Sequence, residues 1–212
     1  MSGDGAVRFL ALGDSYTIGE AVAESERWPV QLAALLGAEG HRLQAPEIIA
    51  TTGWTTDELQ AGIAAAAPRG PFSLVSLAIG VNNQYRGRPL DEYRAQFASL
   101  LAQAVDFAGG VPARVIVLSI PDWGPTPYAR QQSRDAGMVG AEVEAFNAVA
   151  AAVCAQAGVA FIDITADSRE QARDLAMLAE DGLHPSGLMY AHWARQALPA
   201  ARAALGGRPE VA

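Results

Sequence analysis

Short apolar runs alternate along the whole chain with longer stretches that carry one apolar stripe. The short runs fall at residues 7–13, 47–52, 72–80, 114–120 and 159–165. Leu74-Val75-Ser76-Leu77-Ala78-Ile79 and Val115-Ile116-Val117-Leu118 are apolar almost throughout, as strands buried on both faces should be. Between them, Tyr93, Phe97, Leu100, Leu101 and Ala104 follow the spacing of one helical face, with Asp91, Glu92 and Arg94 mostly off it. Val143, Phe146, Ala150, Val153 and Ala157 repeat that spacing until Gly158 ends the helix. A last helix is predicted from residue 186 toward 205, perturbed by Pro199. No repeat or low-complexity linker divides the sequence, so residues 1–212 read as a single domain.

Strands alternating with helices predict an α/β domain with a five-stranded, mainly parallel sheet; a flavodoxin-like order, 2-1-3-4-5, is expected. Right-handed crossovers place every strand's C-terminal end on one edge, and ligands in such folds bind there. Residues just after strands are therefore the ones to search for chemistry.

Composition narrows the options. The 212 residues include 23 acidic and 15 basic side chains, for a net charge of -8, and every basic residue is Arg. With a pI near 4.8, such a surface repels phosphate backbones, so no nucleic-acid partner is expected. Half the residues are hydrophobic, which excludes a disordered chain. No uninterrupted apolar run comes near the roughly 20 residues of a spanning helix, so no membrane insertion is expected. The single Cys154 allows no internal disulfide and no thiolate-rich metal site, and it reads as a buried core thiol on its helix. Residues 1–6 are small or acidic, and the apolar stretch after them is short and broken by Arg8; it reads as a strand rather than a leader core, so an intracellular, cytoplasmic location is expected.

After the first run comes Gly13-Asp14-Ser15-Tyr16-Thr17-Ile18-Gly19-Glu20. One reading is a capped strand-to-helix turn, since Thr17 and Glu20 have capping-box spacing. The other makes Ser15 a nucleophile beside helix N-terminal amides. Position 17 is Thr, so this is not a Gly-x-Ser-x-Gly elbow, and the absence of Lys excludes a P-loop. A serine nucleophile needs a base. His41 lies in a polar connection and reads as solvated, and His192 lies inside the last helix beside Trp193, where packing suffices. His184, in Asp181-Gly182-Leu183-His184-Pro185-Ser186, is held out of helix by Pro185, and Asp181 can reach its imidazole from the same turn. Asp181 and Ser186 are alternatively turn and cap residues. Asp122 and Asp163 compete with Asp181 as orienting carboxylates; they read instead as braces of a Pro-rich turn and of a loop. Gly53, after the second run, offers an N–H that a substrate can approach closely, or simply a tight turn with Thr or Asp capping the next helix. Asn82, after the third, offers a side-chain amide to a developing negative charge, or a turn. Ser15, Gly53 and Asn82 thus satisfy the edge criterion independently. The connection at 121–140, lacking a clear helical stripe, holds Trp123, Pro125, Pro127, Tyr128 and Met138, either as a pocket wall or as a packed cover.

This set resembles the SGNH hydrolases, or GDSL esterases and lipases. The first block is similar to Gly13-Asp14-Ser15-Tyr16-Thr17, the second to the segment around Gly53, the third to Gly80-Val81-Asn82, and the last to Asp181 and His184. Asn83 departs from the family's usual Asp, which bears on local loop geometry more than on chemistry. The resemblance implies a three-layer α/β/α fold, no metal or organic cofactor, and a serine esterase acting on a small-molecule ester. It implies Ser15 as nucleophile, His184 as base and Asp181 as its orienter, with an oxyanion hole from the Ser15 and Gly53 N–H groups and the Asn82 amide. Trp54, Asn83, Trp123 and Tyr128 are the expected pocket residues. Small, soluble acyl or acetyl esters are the expected substrates. A carbohydrate O-deacetylase, a lysophospholipase or a thioesterase would use the same residues. A non-catalytic small-molecule binding domain is the rival from another class.

Overall fold

The computed structural model describes residues 6–206, so nearly all of the N-terminal stretch read above lies outside the described residues. Five strands form one parallel sheet: β1 (Phe9–Gly13), β2 (Glu47–Ala50), β3 (Leu74–Ala78), β4 (Val115–Leu118) and β5 (Ala160–Ile162), in the order β2-β1-β3-β4-β5. Each is shorter than its apolar run, because the run's ends leave the ladder for the flanking turns; Val7, for example, only bridges Leu43. Leu74, Val75, Leu77, Val115 and Ile116 are fully buried, so the continuous apolar runs mark strands covered on both faces.

Nine helices accompany the strands among the described residues: α1 (Ser15–Ile18), α2 (Trp28–Ala38), α3 (Thr56–Ala66), α4 (Val81–Tyr85), α5 (Leu90–Phe107), α6 (Pro127–Gln131), α7 (Ala136–Ala157), α8 (Thr165–Gln171) and α9 (Gly187–Ala204). α9 packs on β4, β5 and α2; α5 packs on β3, α3 and α7. The sheet with its flanking helices is the expected α/β/α architecture. The α5 stripe is buried as predicted. On α7, Val143, Phe146, Ala150 and Val153 are buried, but Ala157 is exposed and Cys154 takes the buried place one turn earlier. α9 runs through Pro199 to Ala204, with Tyr190, Trp193, Ala194, Ala197 and Ala201 on its buried face.

Two expectations change here. α7, at 22 residues, is long and apolar enough by length and composition to span a membrane, although the acidic Glu142 and Glu144 interrupt it. Half of its apolar window is buried within the protein, where it covers α5 and β5 as a core helix does. The connection at 121–140 also carries more structure than predicted. Thr126 caps α6 by accepting the Ala129 N–H at 3.2 Å, and Asp135 caps α7 by accepting the Met138 N–H at 2.8 Å.

Strand register positions the site. Gly13 stands opposite Ala50 on one side and Ala78 on the other, so β1, β2 and β3 end level with one another. The chain order reverses between β1 and its two neighbours, which makes this the crevice where such sheets bind ligands. A Cβ at Gly13 would lie 2.1 Å from Thr17 Oγ1 and 2.6 Å from the Ala78 carbonyl, so only glycine lets the chain turn this tightly from β1 into α1.

Candidate active site

At the end of β1 the chain enters α1 with Asp14 as its cap: the Asp14 carboxylate accepts the Tyr16 N–H at 3.0 Å. The predicted Thr17–Glu20 capping box does not form. Thr17 lies inside α1 with its hydroxyl buried and unpartnered, and Glu20 instead accepts from the Thr52 hydroxyl. Asp14 is 2 % exposed, and burial pushes its carboxyl up to about 7 against the pull of backbone hydrogen bonds from Tyr16 and from its own amide. Ser15 follows at the first helical position, itself buried.

After β2, Gly53 adopts a left-handed backbone (φ 87°), and Thr55 begins α3 with Glu58 reaching back to the Thr55 N–H at 2.9 Å. After β3, α4 opens at Val81. The Asn82 amide donates to the Trp54 carbonyl at 2.9 Å, drawing α4 onto the β2–α3 loop. Asn83 does not line a pocket. It is fully buried, accepts the Thr56 N–H at 3.1 Å and donates to the Thr56 hydroxyl at 2.7 Å. This accounts for the departure from Asp: the Thr56 hydroxyl is also engaged with the Gln96 side-chain oxygen, so it meets a donor at position 83. Trp54 is not a pocket residue either. Its ring lies on α3, where a Cβ at Gly62 would come within 2.1 Å of it.

The Asp181 loop is closed by its own carboxylate. Oδ1 accepts the Leu183 and His184 amides, each at 2.9 Å, and Oδ2 lies 2.6 Å from His184 Nδ1. Burial works to raise the Asp181 carboxyl, but the hydrogen bonds from the His184 ring and the two amides outweigh it and hold the group below the usual carboxylate range. His184 is buried, with its ring 5.4 Å from that of Tyr16. The flanking backbone is pinned: Ala179 N–H donates to the His184 carbonyl and Ser186 N–H to the Met177 carbonyl, both at 2.8 Å.

The competing groups are occupied elsewhere. Asp122 accepts the Gly124 N–H and pairs with Arg169 at 2.5 Å; Asp163 accepts from Ser119 and the Thr165 amide. His41 is not simply solvated, since its Nε2 is buried without a partner beside a separate groove along α2. Cys154 is buried, and burial raises its thiol to about 12. Among the described residues, no three His, Cys, Asp or Glu side chains converge as metal ligands.

A cavity of about 150 Å³ joins Ser15, Gly53, Asn82 and His184, with Trp123, Tyr128, Tyr85 and Leu183 around them. Ser15 and His184 both line it, with no hydrogen bond between them among the described residues. Tyr85 is a wall residue the sequence reading missed, as is Leu183. The signal for Tyr85 was the i,i+4 spacing of Val81 and Tyr85, both of which border the cavity, on a helix whose polar middle (Asn82-Asn83-Gln84) read as a turn.

Residues 11–192 match the family model of the GDSL-like Lipase/Acylhydrolase family. The chain belongs to that family. It is a carboxylic-ester hydrolase, which sets aside the non-catalytic binding domain. Solved structures with the same fold include TesA (22% identity, TM-score 0.72, covering 93% of this chain and 99% of that one). A lipase/acylhydrolase from Enterococcus faecalis is similar too (19%, TM-score 0.70, 97% and 100%). So is a mutant of Axe2, a Geobacillus acetyl-xylooligosaccharide esterase (22%, TM-score 0.66, 95% and 96%). Curated protein sequences give no match. The segments that follow β1, β2 and β3 and line the cavity thus lie at one edge of the sheet.

Proposed function

We propose that this GDSL-family hydrolase cleaves small acyl esters through a Ser15–His184–Asp181 triad and an acyl-enzyme intermediate. His184 takes the Ser15 proton as Oγ attacks the ester carbonyl, and the carbonyl π electrons move onto oxygen. The Ser15 and Gly53 N–H groups and the Asn82 amide hold that oxyanion. Collapse of the tetrahedral adduct expels the alcohol, which leaves with the proton carried by His184. Water then repeats the sequence on the acyl-enzyme, losing its proton to His184 and releasing the acid. The Asn82 amide has two hydrogens, and the Trp54 carbonyl takes one, leaving the other for substrate.

The observation that carries this reading is the 2.6 Å contact between His184 Nδ1 and Asp181 Oδ2 beside a cavity that also holds Ser15, Gly53 and Asn82. Asp181 fixes the imidazole with Nδ1 toward itself, which leaves Nε2 for the serine proton. The preference for small acyl groups is supported by a space of about 150 Å³, well below the roughly 300–1,000 Å³ of pockets for drug-sized ligands, and by its aromatic wall. The acetyl ester named for Axe2 accords with it.

A fluorophosphonate probe read by intact mass and peptide mapping tests the triad. One label on Ser15 is expected, absent from heat-denatured protein and from His184→Ala. Labelling at another serine, or none where a control serine hydrolase reacts, would overturn the assignment.

A further inference from the structure

α4 and the β2–α3 loop are joined by more than the Asn82 contact. Asn82 and Arg86 stand four residues apart, with the Arg86 N–H returning to the Asn82 carbonyl at 3.1 Å, so their side chains leave the same face of this turn. They reach successive carbonyls of one loop. Asn82 donates to Trp54 at 2.9 Å, and Arg86 Nη2 donates to Gly53 at 2.6 Å. The other end of the guanidinium pairs with Glu58, 3.2 Å from Nη1, and Glu58 is fixed at the start of α3 by the Thr55 N–H. Arg86 therefore spans from the Gly53 carbonyl to the first turn of α3.

The position it holds needs holding. Gly53 has a left-handed backbone, no side chain to pack, and nothing nearer its Cβ position than Arg86 Nη2 at 3.7 Å. Fixing its carbonyl fixes ψ, and with φ set by the turn the direction of its N–H is determined. We propose that Arg86 is a positioning residue of the oxyanion hole: it locks the Gly53 peptide so that the N–H is already aimed when negative charge develops. The inference rests on the oxyanion-hole reading given above. An exposed Arg–Glu pair alone contributes little stability. The charge-assisted bond to the carbonyl of the same residue whose N–H meets the substrate gives this one a different role. Arg is suited to it because one planar fork serves both partners at once, whereas Lys offers a single point charge.

The test compares Arg86→Met and Arg86→Lys with wild type by kcat and KM on p-nitrophenyl acetate, affinity for butylboronic acid, and thermal melting. The boronate forms a tetrahedral anion on a serine and so reports the hole without turnover. Arg86→Met is expected to lower kcat about 10-fold with KM nearly unchanged, and to weaken boronate binding by the same factor. Arg86→Lys is expected to recover part of both. Normal kcat and boronate affinity in Arg86→Met overturn the proposal, as does a loss confined to melting temperature and KM. Asn82→Ala serves as the internal reference. If it binds boronate normally, the hole itself is misassigned; if it loses boronate while Arg86→Met does not, only the role of Arg86 falls.

Discussion

The two sides of the cavity are built by different means. On the His184 side, one carboxylate organises everything within three residues: Asp181 accepts two amides and meets the imidazole of the same turn. The aromatic wall, by contrast, is assembled from distant parts of the chain. Trp123 donates from its indole to Gln84, 39 residues away, and Gln84 donates to Glu142, 58 residues away. The Tyr85 and Tyr128 hydroxyls meet at 3.2 Å across 43 residues, and the Arg134 guanidinium lies 5.4 Å from the Trp123 ring centre. Chemistry carried by one turn is written as a spacing, while the shape of a pocket is a property of tertiary packing.

The sharpest test of the local side replaces the carboxylates one at a time. Asp181→Asn should lower kcat by about 10²–10⁴-fold, because the amide can present either an acceptor or a donor to Nδ1 but cannot stabilise the imidazolium. Asp163→Asn and Asp122→Asn should leave kcat near wild type and lower the melting temperature instead, since their partners are Ser119, Thr165, Gly124 and Arg169. If Asp181→Asn proves the mildest of the three in kcat, the turn at 181–184 is only a turn.

The same distinction explains what could be read from the sequence. The sheet was legible because strands buried on both faces must be apolar throughout, and Leu74–Ala78 and Val115–Leu118 are. That Ser15, Gly53, Asn82 and His184 would border one cavity was legible because each follows a strand or sits in a proline-fixed loop. Trp54 and Asn83 were misplaced because both stand beside oxyanion candidates in sequence, yet their side chains turn inward, one onto Gly62 and the other onto Thr56. Neighbourhood along the chain does not determine direction when the backbone turns as sharply as it does after β2 and β3. α4 went unread because five residues with a polar centre carry too little periodicity to distinguish a helix from a turn.

Asp14, the cap of α1, is a residue whose environment only the structure reveals, and it makes stability depend on pH in an unusual direction. Its carboxyl rises from 3.8 to about 7 in the folded protein through burial. Between those values the native state holds a proton that the unfolded chain has released. Stability therefore falls as pH rises through that window and levels off above about 7. The penalty is on the order of 4 kcal/mol at the alkaline end. Asp14→Asn keeps an oxygen for the Tyr16 amide and removes the titration. Urea unfolding at pH 5 and pH 8 should show wild type losing stability relative to Asp14→Asn at the higher pH. Parallel behaviour of the two proteins would mean that the carboxyl titrates normally.

The wall side should respond more gently and in selectivity rather than in rate. Tyr85 is half out of the structure, 41% exposed, yet its ring packs 5.6 Å from that of Trp123 and its hydroxyl meets that of Tyr128 over the cavity. Removing it enlarges the cavity without touching the residues proposed to hold the oxyanion. Each methylene that gains a hydrophobic contact is worth about 1 kcal/mol in transition-state binding, and each that meets a wall loses at least that much. Tyr85→Ala should therefore shift kcat/KM along a p-nitrophenyl ester series toward longer acyl chains, with a change in the acetate-to-octanoate ratio of about 10-fold. Tyr85→Phe removes the hydroxyl contact but keeps the ring, so it should move the ratio far less. An identical shift in both variants would assign the limit to the Tyr85–Tyr128 hydrogen bond rather than to the ring. No shift in either would mean that acyl length is decided on the local side, by Leu183 and the loop around His184.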